Sequence, residues 1–444
     1  MKIIRYIFLV AGMLSLSSCG LYKEFERPET AFADSLYRRL PVSEDTSVIA
    51  SLSWEDFFTD PVLKEWIQVG LDHNTDLNVA RFRVEAAEAT LTAARGAFLP
   101  GVNFGAEGGI GGFSTNVSAS WEADIFGSLK NAKRKAAAAL EQSVAYRQAV
   151  QTQLIATIAN TYYTLLMLDE QLRVSQRTYE NWTENIRTME ALKRAGKTNE
   201  AAVLQAKSNQ LNVEGSILNL EKQIIETENS FASLLGIVPM TIRRSRLDEQ
   251  FFPLELTQGI PAQMLSRRPD VKQAEMALAE AYYAVNQAKS AFYPKLNLSG
   301  LLGWTAAGAS VDPGSFFTGL AASLSQPVFA RRSLKANLKK AEAAQKEALY
   351  KFKQCVLDAG VEVNNSIVQW QTAQDMLEID HKQVIHLQAA VWNTRLLMKH
   401  GLTNYLEVLT AQQTLLQAEL AEASDKFAQI QGVINLYHAL GGGY

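Results

Sequence analysis

The sequence predicts a mixed α/β membrane protein built from two copies of one unit, with four β-strands and two long helical hairpins per chain. Three observations predict it. The chain nearly repeats itself; four short segments alternate apolar and polar residues with period two; and two stretches of more than sixty residues carry no proline and a heptad-like apolar spacing.

The repeat is read from aligned segments. Asp76-Leu77-Asn78-Val79-Ala80 to Gly96-Ala97-Phe98-Leu99-Pro100 matches Asp270-Val271-Lys272-Gln273-Ala274 to Ser290-Ala291-Phe292-Tyr293-Pro294, at an offset of 194. The offset becomes 203 at Phe126 and Phe329, and 205 at Gly196 and Gly401 and again at Leu235-Gly236 and Leu440-Gly441. Each half therefore reads helix, two strands, very long helix, turn, long helix. Residues 61–255 form the first structural repeat and 256–444 the second, preceded by segments 1–18 and 19–60.

Segment 1–18 is a signal peptide: Lys2 and Arg5 precede the apolar run Ile7 to Leu14. Leu16-Ser17-Ser18-Cys19 resembles the bacterial lipobox, which implies that Cys19 is the first mature residue and carries covalent lipid. Gly20, rather than Asp, is permissive for the outer membrane by resemblance to sorting rules. The bland alternative is a plain signal peptide with a chance cysteine. Cys355 then has no partner for a disulfide and falls on an apolar helical stripe. A net charge of -3, from 43 basic and 46 acidic residues well mixed along the chain, excludes a nucleic-acid footprint. No apolar run after the signal is long enough for a spanning helix.

The first strand alternates Val102, Phe104, Ala106, Gly108, Ile110 against Asn103, Gly105, Glu107, and turns near Gly112 to Thr115. The second alternates Val117, Ala119, Trp121, Ala123, Ile125 against Asn116, Ser118, Ser120, Glu122, Asp124. The third and fourth repeat the pattern through Leu296 to Trp304 and Thr318 to Leu324. Aromatics at Phe113, Trp121, Phe126, Trp304, Phe316, Phe317 and Phe329 stand near the strand ends. Strands of about ten residues, apolar outward and polar inward, with aromatic girdles, suit a transmembrane barrel; a soluble sheet with one buried face is the competing explanation. Four strands cannot close a barrel, and open edges are not tolerated in lipid. Two chains give eight strands and three give twelve; a face carrying Glu107, Glu122 and Asp124 suits a water-filled lumen and the larger ring. The offset change of nine falls in the turns, the second of which carries Ala307 to Ser315.

The helices are predicted over about 129–195, 199–235, 332–399 and 403–439. Stripes step by four and three through Leu334, Leu338, Ala341, Gln345, Ala348, Phe352, Cys355, Ala359, and through Leu402, Leu406, Leu409, Gln413, Leu416, Leu420, Ala423, Phe427, Ile430, Ile434, Tyr437. That spacing packs as a coiled coil. The turns Arg194-Ala195-Gly196-Lys197-Thr198-Asn199 and Lys399-His400-Gly401-Leu402-Thr403-Asn404 carry a glycine C-cap and a new helix start.

From about Trp54 to Gly441 the chain resembles the TolC/OprM-like outer membrane efflux proteins, in their lipoprotein branch. The likeness is carried by Trp121-Glu122-Ala123-Asp124-Ile125-Phe126-Gly127-Ser128-Leu129, Ser266-Arg267-Arg268-Pro269-Asp270-Val271, Gln326-Pro327-Val328-Phe329 and Lys335-Ala336-Asn337-Leu338-Lys339-Lys340-Ala341-Glu342-Ala343. The resemblance implies a homotrimer with a twelve-stranded transmembrane β-barrel continuous with a long α-helical periplasmic barrel. It implies a periplasmic adaptor (membrane fusion) protein and an inner-membrane transporter of the resistance-nodulation-division type as partners, beside outer membrane lipids. It further implies a periplasmic aperture at Glu407 and Thr410, where Thr410 departs from the family's usual Asp, with Tyr405 beside them. Tips at Gly196, Lys197, Gly401 and Leu402 would contact the adaptor. The bland alternatives are a solvated helix charge for Glu407 and simple capping at the tips.

No catalytic set is present: no phosphate loop, and His381 and His386 stand five apart, a poor spacing for a shared helix face. No enzyme activity, no metal site and no cofactor beyond the lipid on Cys19 is expected. The function expected is a passive exit duct in a three-component efflux system, lodged in the outer membrane of a Gram-negative cell and extending into the periplasm, for drugs, detergents or metal ions. The alternative is the duct of a one-step (type I) protein secretion system. A lipid-anchored coiled coil with a soluble sheet is the outsider.

Overall fold

A computed structural model of the chain describes residues 22–28, 52–109, 112–250, 268–307, 315–327 and 332–443. The signal peptide, Cys19, Ile110, Ser266, Arg267, Phe329 and residues 308–314 of the second hairpin turn lie outside the described residues.

Among the described residues the order is α1 (Trp54–Phe57), α2 (Pro61–His73), α3 (Thr75–Gly96), β1 (Gly101–Gly109), β2 (Gly112–Ala123), α4 (Ser128–Arg194), α5 (Glu200–Leu235), a 3-10 turn (Leu247–Glu249), α6 (Pro269–Ser290), β3 (Lys295–Ala307), β4 (Ser315–Ser325), α7 (Ser333–Lys399) and α8 (Tyr405–Ala439). The elements follow the predicted order in both halves. Helices α4 and α7 have 67 residues each, at the predicted offset of 205. None of the described helices is long and apolar enough to cross a membrane. The first hairpin differs from the expectation: Gly109 pairs with Gly112 and Glu107 with Ser114, so 112–115 already belongs to β2. The alternation of Phe113, Thr115 and Val117 continues the strand there, which leaves a shorter turn.

The chain divides into two compact units, each drawing on both halves of the repeat. The first comprises Met1–Ala31, Ala80–Arg147 and Pro269–Val356. It holds one antiparallel sheet in the order β1-β2-β3-β4. The seam β2–β3 joins the halves, with Val117 opposite Leu302 and Trp121 opposite Leu298. Phe126 stacks on Tyr293 at 4.9 Å below the strands. Residues 22–28 strap this unit: the backbone of Phe25 donates to Tyr283 Oη, Tyr282 Oη donates to the Lys23 carbonyl, and Arg27 lies 3.6 Å from Glu275.

The second unit comprises Phe32–Val79, Gln148–Arg268 and Leu357–Tyr444. Its core gathers Phe57, Phe58, Leu63 and Ile67 with Ile158, Tyr162 and Tyr163 of α4, Phe231 of α5, and Ile434 and Tyr437 of α8. Phe57 stacks on Tyr437 with ring centres 3.9 Å apart. Burying each such side chain contributes about 1.5–3 kcal/mol. Segment 19–60 is thus no mere leash: its end, from Trp54, is folded into this core.

The halves also repeat a helix-end latch. Gly236 after α5 and Gly441 after α8 both have positive φ, 73° and 83°. The Asn74 side chain donates to the Leu234 carbonyl at 2.8 Å, and the Arg268 guanidinium donates to that of Ala439 at 2.6 Å. The donors are 194 apart and the acceptors 205, the offsets of the sequence repeat. At Gly236 a Cβ would stand 2.6 Å from the His73 carbonyl, so glycine is required by space as well as by φ.

Candidate functional site

The sheet has two unlike faces. One carries Val102, Phe104, Val117, Trp121, Leu298, Leu302, Leu320 and Leu324, which the register places on the same side. It is bare: Phe104 is 72% exposed and Leu320 95%. The other carries Asn103, Glu107, Ser114, Asn116, Ser118, Ser120, Glu122, Asn297 and Ser299, with Leu301 as an apolar exception. Glu107 is exposed opposite Ser114, and Glu122 pairs with Lys295 at 3.0 Å. Asp124 lies beyond the strand. Its carboxylate accepts from the backbone N–H of Leu129 (3.0 Å) and Lys130 (2.7 Å), so it caps the start of α4. An anion at a helix N-terminus is favoured by the orphan donors and the dipole there.

The two hairpin tips are near copies. Gly196 and Gly401 adopt left-handed φ of 73° and 74°. The N–H of Lys197 donates to Leu192, and that of Leu402 to Leu397, both at 2.9 Å. Asn199 caps α5 through the Ala202 N–H (3.0 Å), and Asn404 caps α8 through the Glu407 N–H (3.2 Å). Lys197 is exposed and Leu402 is 73% exposed. Glu407 and Thr410 are exposed on the first turns of α8. Tyr405 does not join them as a free group: it packs against the cluster of Trp182, Ile186, Ala206, Val213 and Leu409.

Near the tip the buried stripe of α8 slips from its predicted course. Leu402, Leu406 and Gln413 are exposed, while Val408, Leu409 and Gln412 are buried. The Gln412 amide lies against Asn185 of α4 and, with its oxygen turned to α7, accepts from Arg395 at 3.2 Å from Nε. A polar layer across three helices thus replaces the apolar step expected at Gln413. Its sequence signal was weak, since Gln412 and Gln413 are adjacent.

Two partly buried ion clusters carry no signal in the sequence. Arg244 donates to Asp169 and Glu228, each at 2.5 Å. Hydrogen bonds to those carboxylates, Asp169 foremost, raise its pKa further against the cost of burial. Arg268, 5% exposed, donates to Glu362 at 2.6 Å, and Glu362 meets His438 Nδ1 at 3.1 Å. Burial alone would raise the Glu362 carboxyl; the His438 and Arg268 hydrogen bonds and charges override it and bring it to about 2. Arg268 stands in the Arg267-Arg268-Pro269-Asp270 run that marks a helix start, and the motif alone does not reveal that it is buried. Among the described residues, no group of three or more His, Cys, Asp or Glu is placed to hold a metal ion.

An open four-stranded sheet with a bare apolar face, built from two hairpins that repeat together with the 67-residue helices, narrows the choice of families. The sequence matches the outer membrane efflux protein family over residues 66–237 and 260–442. The chain belongs to the outer membrane efflux protein family. This efflux protein is 29% identical to the pyoverdine export outer membrane protein OpmQ of Pseudomonas putida, over 100% of this chain and 98% of that one. It is 27% identical to the cation efflux system protein CusC of Escherichia coli, over 97% of both chains. Among solved structures, it is similar to the outer-membrane channel OprN, with a TM-score of 0.87 and 28% identity over 96% of this chain and 99% of that one. The fold is that of the TolC-like outer membrane channels, and the efflux protein is an outer membrane duct.

Proposed function

We propose that three copies of this efflux protein close a twelve-stranded barrel and form the passive exit of a three-component system. An inner-membrane pump supplies the energy, a periplasmic adaptor bridges to the tips at Gly196, Lys197, Gly401 and Leu402, and Cys19 carries lipid that anchors the chain. The observation that carries this reading is the sheet: one face bare and apolar, the other polar, and β1 and β4 as its two edges. In lipid such edges must pair, and a second copy of the chain offers the matching edge. A polar inner face favours twelve strands around water over eight around a packed core.

The helices support the same assembly. On α5, Leu204, Leu211, Leu218 and Ile225 recur every seven residues and are 57–64% exposed. A heptad stripe left bare within one chain fits the seam of a coiled coil made with another. Glu407, repeated three-fold around the axis, would form an acidic ring at the periplasmic mouth. The protein performs no bond chemistry in this reading. Cargo is chosen by the pump, because a wide duct filters little, and the relatives named for pyoverdine and for cations accord with a duct of broad use.

The test is a clean deletion strain challenged with drugs, detergents, dyes, siderophores and copper and silver salts. Selective sensitisation, reversed by the intact gene, is expected and names the cargo class. Unchanged tolerance together with loss of a secreted protein would replace this function with a secretion duct.

A further inference from the structure

Halfway along the second hairpin, α7 and α8 face each other with two carboxylates. Asp380 is 5% exposed, and its Oδ2 is buried without a hydrogen-bond partner. Asp425 of α8 stands within hydrogen-bonding reach of it, and Glu422, one turn earlier, adds a third negative charge. Two ionised carboxylates have no donor to offer each other.

Most of the surrounding cations are paired elsewhere, and the exception, Lys426, forms no ion pair with either Asp. On α7, His381 Nδ1 meets Glu422 at 2.9 Å and Lys382 pairs with Glu378 at 2.6 Å. From α4, Arg173 pairs with Glu170 and Arg177 with Glu419. On α8, Lys426 feels Asp248 of the 3-10 turn, Glu170 and Glu422. No ion pair to Asp380 or Asp425 is formed among these groups. Burial, then Asp425 and Glu422, push the Asp380 carboxyl up to about 6.

The repeat supplies an internal contrast. At the offset of 205, Asp380, Glu422 and Asp425 correspond to Ser175, Ile217 and Leu220. The first hairpin thus carries no ionisable group at any of the three positions, although Ser175 is likewise buried.

We propose that Asp380 keeps its proton and turns it toward Asp425, and that release of this proton loosens the pairing of α7 with α8, so that the second hairpin alone answers to periplasmic acidity. The proton supplies the donor that the buried Oδ2 lacks. Its loss leaves two like charges across a helix seam. The sign follows from the raised carboxyl. The stabilisation is complete below the ordinary Asp value of 3.8 and is lost as the pH rises through about 6. The inference stands on this hairpin's own geometry and holds whether or not the duct reading does.

Hydrogen exchange of the full-length protein in detergent, at pH 4.5 and 7.5 and corrected for the intrinsic pH effect, tests it. Peptides covering 374–390 and 417–430 are expected to open at least about threefold more readily at pH 7.5. Peptides covering 169–185 and 212–225 are expected to open equally at both. Asp380→Asn, which brings its own donor, is expected to hold the second hairpin at its acid-state protection throughout. Equal protection in the wild type at both pH values, or a pH effect that survives in D380N, would overturn the proposal. Infrared difference titration of the wild type against D380N is a second check: a protonated-carboxyl band lost near pH 6 in the wild type alone is required, and identical spectra between pH 4.5 and 7.5 sink the proton on Asp380.

Discussion

At the scale of single residues, the glycines and buried charges decide most. Gly432 lies where α8 crosses α7 at contact distance; a Cβ there would stand 2.8 Å from Trp370 Cα and 2.9 Å from its nitrogen, both backbone atoms. Gly432→Ala is therefore expected to cost about 1–3 kcal/mol by forcing the helices apart, read as a lower thermal midpoint with the assembly otherwise intact. Glu407 is the opposite case, an exposed side chain with no packing role. Glu407→Ala should leave stability unchanged and raise single-channel conductance; unchanged conductance in closed trimers would remove Glu407 from the aperture. The sequence revealed the glycines that end helices, because Gly196 and Gly401 follow basic residues at matching positions. It did not reveal Gly432, Arg244 or Arg268, because close approach and burial depend on the partner helix. Parity puts Asp124 on the polar strand face, but β2 ends at Ala123, and helix capping takes up the Asp124 carboxylate.

At the scale of elements, period-two alternation located all four strands, and their register puts the predicted apolar residues on one face. Two neighbours on β4 separate the lipid-facing and lumen-facing roles. Leu320 lies opposite Gly300 on the bare apolar face, and Ala321 opposite Ser299 on the polar one. An arginine on a lipid face costs about 2–4 kcal/mol near the midplane. Leu320→Arg should thus deplete the membrane-inserted form, while Ala321→Arg leaves it; equal effects would mean that neither face meets lipid. The helices were legible to within two residues at each end, since caps and missing prolines are local signals. Their stripes were legible only where the core is apolar. Toward the tip the polar layer of Asn185, Arg395 and Gln412 shifts the seam of α8, and heptad counting alone cannot register a polar residue turned inward.

At the scale of the whole molecule, the duplication read from sequence organises the chain but not its compact units, each of which draws segments from both halves. Sequence offsets record ancestry; packing follows what the folded chain brings together. The bare stripe on α5 belongs to this scale. Leu211→Asp with Leu218→Asp would put charges into a seam between copies, and native mass measurement is expected to shift from trimer to monomer; an intact trimer would move the contact elsewhere. The seam between β2 and β3 carries a further consequence, in time rather than in space. More than 170 residues separate those strands. At synthesis rates of about 5–20 residues per second, the edge of β2 exists for roughly 10–30 s before its partner has been made. For that interval the apolar residues of the first hairpin lack the strand that the finished sheet sets beside them. The molecule's vulnerable moment therefore comes before it reaches its membrane, when shielding of the first hairpin by a holding chaperone would protect an edge that the finished sheet covers.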